Sequence, residues 1–308
     1  MGRLHSFDLL RGLAAIAVMA YHAERIVPRG YLAVDLFFIL SGFVLYRAYA
    51  DRLGSWYQFT SFTIRRIIRL YPLMLAGAVV GLAINGGSLL TLLLVPTGER
   101  VLFPANIPLW SLLYEMLASV LFAALFRYGK PMWFLVWVSS GILFGWSVTI
   151  LGTADLGFTF ATTIPGLFRV GFSFSTGVGL AYLYRAQANP SFWGWPVCLL
   201  PLAILLMPSG SSSLDLLAVF VIFPCFTLAA AAFDIRQRWL AAALGSMSYA
   251  LYAIHHPIVK ASYGAGWGYI ALFSLLIVIA WCLERFYDQP LRSMLIRLCY
   301  RMKILRGA

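Results

Sequence analysis

Helix-length apolar stretches follow one another along nearly the whole chain, and most of its arginines fall between them. A soluble fold needs charge to clothe its surface. Charged residues make up 11% of these 308, and hydrophobic ones 62%, whereas a soluble domain is roughly 25% charged. Immersion in a bilayer removes the conflict, because about twenty residues of apolar helix cross one. Ten stretches approach that length: 8–25, 31–49, 71–95, 108–127, 131–151, 167–184, 192–208, 213–232, 240–259 and 266–286. The expected fold is all-α, a polytopic transmembrane bundle of about ten spans. Asn85-Gly86-Gly87 predicts a tilt or break in the third. Segment 100–108 is too short to cross, and Pro190 and Pro208 bracket the weakest span.

The formal net charge is +12. A nucleic-acid binder gathers its cations into a stripe; here they lie between apolar segments, as the positive-inside rule requires. With the amino terminus placed in the cytoplasm, only Arg25, Arg29, Arg100 and Lys260 face the opposite side. Arg169 lies near a segment end and Arg11 within the first span, and every other Lys and Arg falls inside. That bias predicts an even number of spans with both termini cytoplasmic, and it argues against a nucleic-acid partner. The tail over 287–308 mixes Leu, Ile and Met with basic residues, which suits an amphipathic helix on anionic lipid. Cys198, Cys225, Cys282 and Cys299 lack metal-ligand spacing and read as apolar fillers. The first stretch has no small-residue cleavage signature and is read as retained.

Ionisable groups inside apolar spans are costly and mark polar sites. Arg11 and His22 are eleven residues apart in the first stretch. Eleven helical steps of about 100° leave them about 20° apart around the axis and roughly 16 Å apart along it. They therefore face one side of the helix at two depths. A guanidinium offers a fixed fork of donors to phosphate; an imidazole takes a hydroxyl proton near neutral pH. His255 and His256 are helix neighbours that diverge by about 100°, so only one is expected to face a cavity centre. Asp35 suits either orienting His22 or pairing with Arg25 or Arg29.

Five motifs occur in order. They are Arg11 with His22; Val34-Asp35-Leu36-Phe37-Phe38-Ile39-Leu40-Ser41-Gly42-Phe43; Arg65-Arg66 with Arg69 and Pro72; Trp110-Ser111-Leu112 with Glu115; and Leu244-Gly245 with Ser248-Tyr249, Tyr252, His255 and Pro257. Together they resemble the acyltransferase 3 family of integral membrane acyltransferases, which act on cell-surface polysaccharides and other hydroxyl-bearing acceptors. Met116 and Ala253 depart from common family residues and leave acceptor identity open.

The resemblance implies a membrane acyltransferase domain over 1–286 and a basic cytoplasmic tail over 287–308, in a bacterial inner membrane. It implies transfer of an acyl group, acetyl in the first instance, from acyl-coenzyme A to a saccharide hydroxyl, with no tightly bound cofactor. His22, Glu115, Asp35 and His255 are the catalytic candidates. Arg11, Arg65, Arg66 and Arg69 are candidates for holding the coenzyme A phosphates. Ser41, Trp110, Tyr249 and Tyr252 are candidates for substrate contact. A required metal is not expected, since the His-Glu-x-x-His pattern is absent. A sugar or anion transporter and a non-catalytic acyl-donor sensor remain open, although no inverted repeat is visible. Membrane lipids are partners in every case, and the oligomeric state is open.

Overall fold

The computed structural model describes residues 3–50, 52–53, 55–184, 189–263 and 268–305. Each of the ten apolar stretches holds helix. The α-helices are α1 His5–His22, α2 Ala33–Tyr49, α3 Trp56–Asn85, α4 Leu109–Leu125, α5 Gly129–Leu151, α6 Thr163–Leu183, α7 Gly194–Leu206, α8 Ser212–Leu217, α9 Phe223–Ala232, α10 Arg238–Ser262, α11 Tyr269–Cys282 and α12 Gln289–Arg301. Wider π-helical turns join α8 to α9 over Ala218–Ile222 and α11 to α12 over Leu283–Asp288. One two-residue parallel pairing, Asn189–Pro190 with Phe233–Asp234, ties the start of α7 to the end of α9.

The ten-span expectation is corrected by the helices themselves. Among the described residues, five are long and apolar enough to cross a membrane: Gly30–Tyr49, Trp56–Asn85, Pro131–Leu151, Ser212–Ala232 and Tyr269–Arg301. α4 and α7 are apolar but shorter. α1, α6 and α10 have helical length but carry the polar groups of the interior, Arg11 and His22, Arg169 and Ser173, and Ser248 and His255. Among these groups His22 packs its ring against His255, and Arg169 pairs with Asp35 on α2. The expected count of about ten spans is thereby overturned.

Local chemistry fixes where α3 begins and ends. Ser55 Oγ accepts from the Gln58 N–H at 3.2 Å, and the Gln58 side chain accepts from the Ser55 N–H at 2.9 Å, a reciprocal cap. The helix stops at Asn85, where Gly86 takes φ +68°, open to glycine without strain. The helix Trp56–Asn85 corrects the expected stretch 71–95, which begins later and ends later. Pro72 lies inside α3, and Arg65, Arg66 and Arg69 sit on helix, not before it. Tail residues 289–301 form α12, continuous with α11 through the π turn and packed on α3.

α1 runs through the middle, packed along α10, with α2, α7 and α9 around it; α2 lies along α6. The α2–α6 pair meets backbone to backbone. A Cβ on Gly42 would overlap the Phe174 carbonyl oxygen, and one on Gly177 would overlap that of Ile39. Small residues permit such approach where lipid supplies no hydrophobic drive between helices.

Candidate functional site

Two cavities flank α1, one at each end of its polar face. The first, of about 390 Å³, lies among α1 to α4, α10, α12 and the π turn before α12. Five arginines line it, Arg3, Arg11, Arg66, Arg69 and Arg292, against three carboxylates, Asp8, Glu115 and Glu284. Four of the arginines have anionic partners. Arg3 Nε meets Asp8 Oδ2 at 2.5 Å, and Arg66 Nη2 meets Glu115 Oε1 at 3.4 Å. Arg69 Nη1 is 3.8 Å from Asp288 Oδ2, and Arg292 Nη2 is 3.0 Å from Glu284 Oε1. Among the described residues Arg11 has no salt-bridge or hydrogen-bond partner; Asp8 and Glu115 act on it only at longer range. A cationic fork without a counter-ion inside a cavity is a ready anion receptor. Ser41 Oγ donates to Glu115 Oε1 at 3.0 Å, and the Tyr249 hydroxyl donates to the Leu70 carbonyl at 3.2 Å.

The second cavity, of about 350 Å³, contains His22. Its walls include Tyr21, Tyr31, Trp110, Phe158 and Tyr263 together with Glu24, Arg25 and Asp155. The Tyr263 hydroxyl donates to the His22 carbonyl and holds the end of α1. Three imidazoles gather here, with the His22 ring centroid 5.2 Å from that of His255 and 4.9 Å from that of His256. His255 and His256 meet the His22 ring at different angles, 37° and 85° between ring planes, and neither lines the cavity itself. His255 Nδ1 donates to the Tyr252 carbonyl at 2.8 Å. A carbonyl only accepts, so the proton is on Nδ1, and Nε2 is a buried acceptor with no partner among the described residues. Among those residues, no three His, Cys, Asp or Glu side chains are arranged to hold a metal ion.

Val34 and Tyr252 line both cavities. The Tyr252 hydroxyl is 2.6 Å from Ser111 Oγ, and Ser111 Oγ donates to the Pro108 carbonyl at 3.0 Å. The single Ser111 proton is therefore committed, and Tyr252 is the donor between them. Arg11 and His22 stand on either side of this tyrosine, as their spacing on one helix face requires.

The other candidates are distributed differently. Glu115 lies in the arginine-lined cavity with Arg66 and Ser41, not beside a histidine. Asp35 is brought to Arg169 and not to His22, Arg25 or Arg29. Arg169 Nε donates to both its oxygens at 3.1 and 3.0 Å, Nη2 donates to Oδ2 at 2.7 Å, and Ser173 adds 2.9 Å. Both side chains are fully buried. Arg65 points away from the cavities and donates to the Tyr300 hydroxyl on α12 at 2.7 Å. Arg29 pairs with Asp215. Trp110 lines the His22 cavity and Tyr249 the other.

Two residues of the site escaped sequence reasoning. Arg169 is a hub. Besides Asp35 it donates to the Leu156 carbonyl at 3.1 Å and the Tyr31 carbonyl at 2.7 Å, and it lies 5.9 Å from the Trp110 ring centre. It thereby joins two lining residues of the His22 cavity, Tyr31 and Trp110, to Asp35 on α2 and to the loop between α5 and α6. The available signal was an arginine in an apolar helix, the same signal that singled out Arg11. Asp155, in the loop between α5 and α6, accepts from the Tyr21 hydroxyl at 2.8 Å. Burial pushes its carboxyl above the ordinary carboxylate range, opposed by Arg169, Tyr21 and Arg25. Nothing local in sequence marks such a loop carboxylate.

Known proteins fit this architecture at the family level. A stretch of 71 residues is 46% identical to "Protein 2 in picA locus" of Rhizobium radiobacter; it covers 21% of this chain and 37% of that protein. The chain thus spans well under two thirds of that relative's length. No solved structure matches. The family model described as an acyltransferase domain matches residues 4–284, nearly the whole bundle, so the chain belongs to the acyltransferase 3 family.

Proposed function

We propose that the protein is a bacterial inner-membrane O-acyltransferase. It moves an acyl group, acetyl in the first instance, from acyl-coenzyme A to a hydroxyl of a cell-envelope or exported saccharide. One observation carries this reading: Arg11 and His22 line two cavities that meet at Tyr252. A donor of phosphates, long arm and thioester suits that plan. Its phosphates bind at Arg11, with Arg66 and Arg69 adding charge, and its arm passes Tyr252 toward His22. We place the arginine-lined cavity on the cytoplasmic side, where coenzyme A thioesters are made. The basic face of α12 would rest against anionic headgroups there.

The acceptor hydroxyl enters the His22 cavity. His22 takes its proton as the oxygen attacks the thioester carbon, so a C–O bond forms and the C–S bond breaks. The proton then passes to the departing coenzyme A thiolate. His255 supports His22 through ring packing. Glu115 keeps Ser41 and Arg66 in place at the donor end, and Asp35 acts through Arg169 as a positioning residue. The partitioned cavities favour this reading over a transporter, whose substrate needs one site exposed alternately to either side.

The test is transfer of labelled acetyl from acetyl-coenzyme A to envelope saccharides by purified protein in liposomes. Substitution His22→Ala should reduce transfer by about 10²–10⁴-fold while acetyl-coenzyme A binding persists. Saccharide flux without transfer would establish the transporter instead.

A further inference from the structure

We propose that Asp155 determines acceptor specificity. Its open carboxylate oxygen receives a second hydroxyl of a polyhydroxylated acceptor whose neighbouring hydroxyl meets His22. This inference rests on the acyl-transfer reading above.

Asp155 lines the His22 cavity. An ionised carboxylate can accept at two oxygens and about four lone-pair positions. Oδ2 takes the Tyr21 hydroxyl at 2.8 Å, while Oδ1 accepts no hydrogen bond from the described residues. The loop around it is held from several directions. The Asp155 N–H donates to Thr153 Oγ1 at 3.1 Å, and the Leu156 N–H donates to the Ala154 carbonyl at 2.9 Å. The Leu156 carbonyl accepts from Arg169 Nη1 at 3.1 Å, and Arg169 is locked on Asp35. Tyr21 fixes the carboxylate itself. The half-used acceptor is thus pre-oriented, and His22 adjoins Tyr21 on α1 in the same wall.

The remaining walls define the chemistry of the guest. Tyr21, Tyr31, Trp110, Phe158 and Tyr263 present aromatic rings. The negative faces of such rings attract polarised C–H groups, as on the faces of a pyranose. A few placed polar groups among aromatic walls fix the orientation of a ligand. An acceptor with a single hydroxyl leaves Oδ1 unpartnered when the cavity closes on it, and a site built around a substrate hydroxyl rejects the analogue that lacks it. The guest that satisfies both groups is a sugar or similar polyol with adjacent hydroxyls.

The test uses purified full-length protein in liposomes, labelled acetyl-coenzyme A and three acceptor sets. These are envelope saccharides with methyl pyranosides, the corresponding monodeoxy pyranosides, and cyclohexylmethanol. Asp155→Asn keeps one oxygen for Tyr21 and turns the other position into a donor. We expect KM for the diol-bearing acceptors to rise at least about tenfold, the scale of a lost charged hydrogen bond. The KM for acetyl-coenzyme A and transfer to the matched monodeoxy acceptor should stay within about twofold. If the variant misfolds, the wild-type chain still decides: removing the neighbouring hydroxyl from the acceptor must raise KM by a similar factor. Equal losses on all acceptors, or wild-type indifference to the second hydroxyl, would overturn the role of Asp155 and leave acyl transfer standing. Failure of the wild-type chain to acylate any acceptor would overturn both.

Discussion

The buried pair of Asp35 and Arg169 separates two accounts of the second motif by a single cycle of variants. If Asp35 tuned His22 directly, its loss would lower kcat and spare the fold. The structure instead gives Asp35 to Arg169 through three hydrogen bonds, with both groups fully buried. Removing one partner strands a charge, which costs about 3–5 kcal/mol. Asp35→Leu and Arg169→Met should therefore each destabilise the protein by about that much. The double variant leaves no stranded charge. It loses the Arg169 bonds to the Leu156 and Tyr31 carbonyls and the Ser173 bond to Asp35, at about 1 kcal/mol each. Its expected loss is about 3 kcal/mol, far short of the sum of the singles. The assay is reversible unfolding of purified protein in mixed micelles by titration with dodecyl sulfate, followed by circular dichroism, with acetyl transfer measured alongside. Additive losses, or an Asp35→Leu protein of unchanged stability whose kcat falls by more than about 10³-fold, a loss within the range a general base supplies, would refute the assignment.

Two further outcomes follow from the same geometry. Arg11→Lys keeps the charge but loses the planar fork; because Arg11 has no ion pair to lose among the described residues, KM for acetyl-coenzyme A should rise about tenfold, one charged hydrogen bond's worth, while the unfolding midpoint stays put. Gly177→Ala drives a methyl into the Ile39 carbonyl and should cost about 1–3 kcal/mol by the same titration. Gly179→Ala, where a Cβ meets nothing within 4 Å, should be neutral or stabilising by up to about 1 kcal/mol.

Sequence by itself determined whatever depends on a short piece of chain. Helix in each apolar stretch followed from hydropathy. The shared face of Arg11 and His22 followed from a backbone period that hydrogen bonds fix four residues at a time. The five motifs, on the first four helices and the tenth, together carried the family resemblance. Tertiary structure decided which charge meets which. Asp35 finds Arg169, 134 residues further along, across the close glycine contact of α2 with α6, and Glu115 on α4 meets Arg66 on the adjacent α3. Arg65 and Arg66 are neighbours in sequence, yet one reaches α12 and the other the cavity. The number of helices fit to cross a membrane turned on the helix bounds, since α4 and α7 end short of that length. Arg169, Ser173, Ser248 and His255 are buried on α6 and α10 because other helices cover those faces, and hydropathy along one segment does not record what packs beside it.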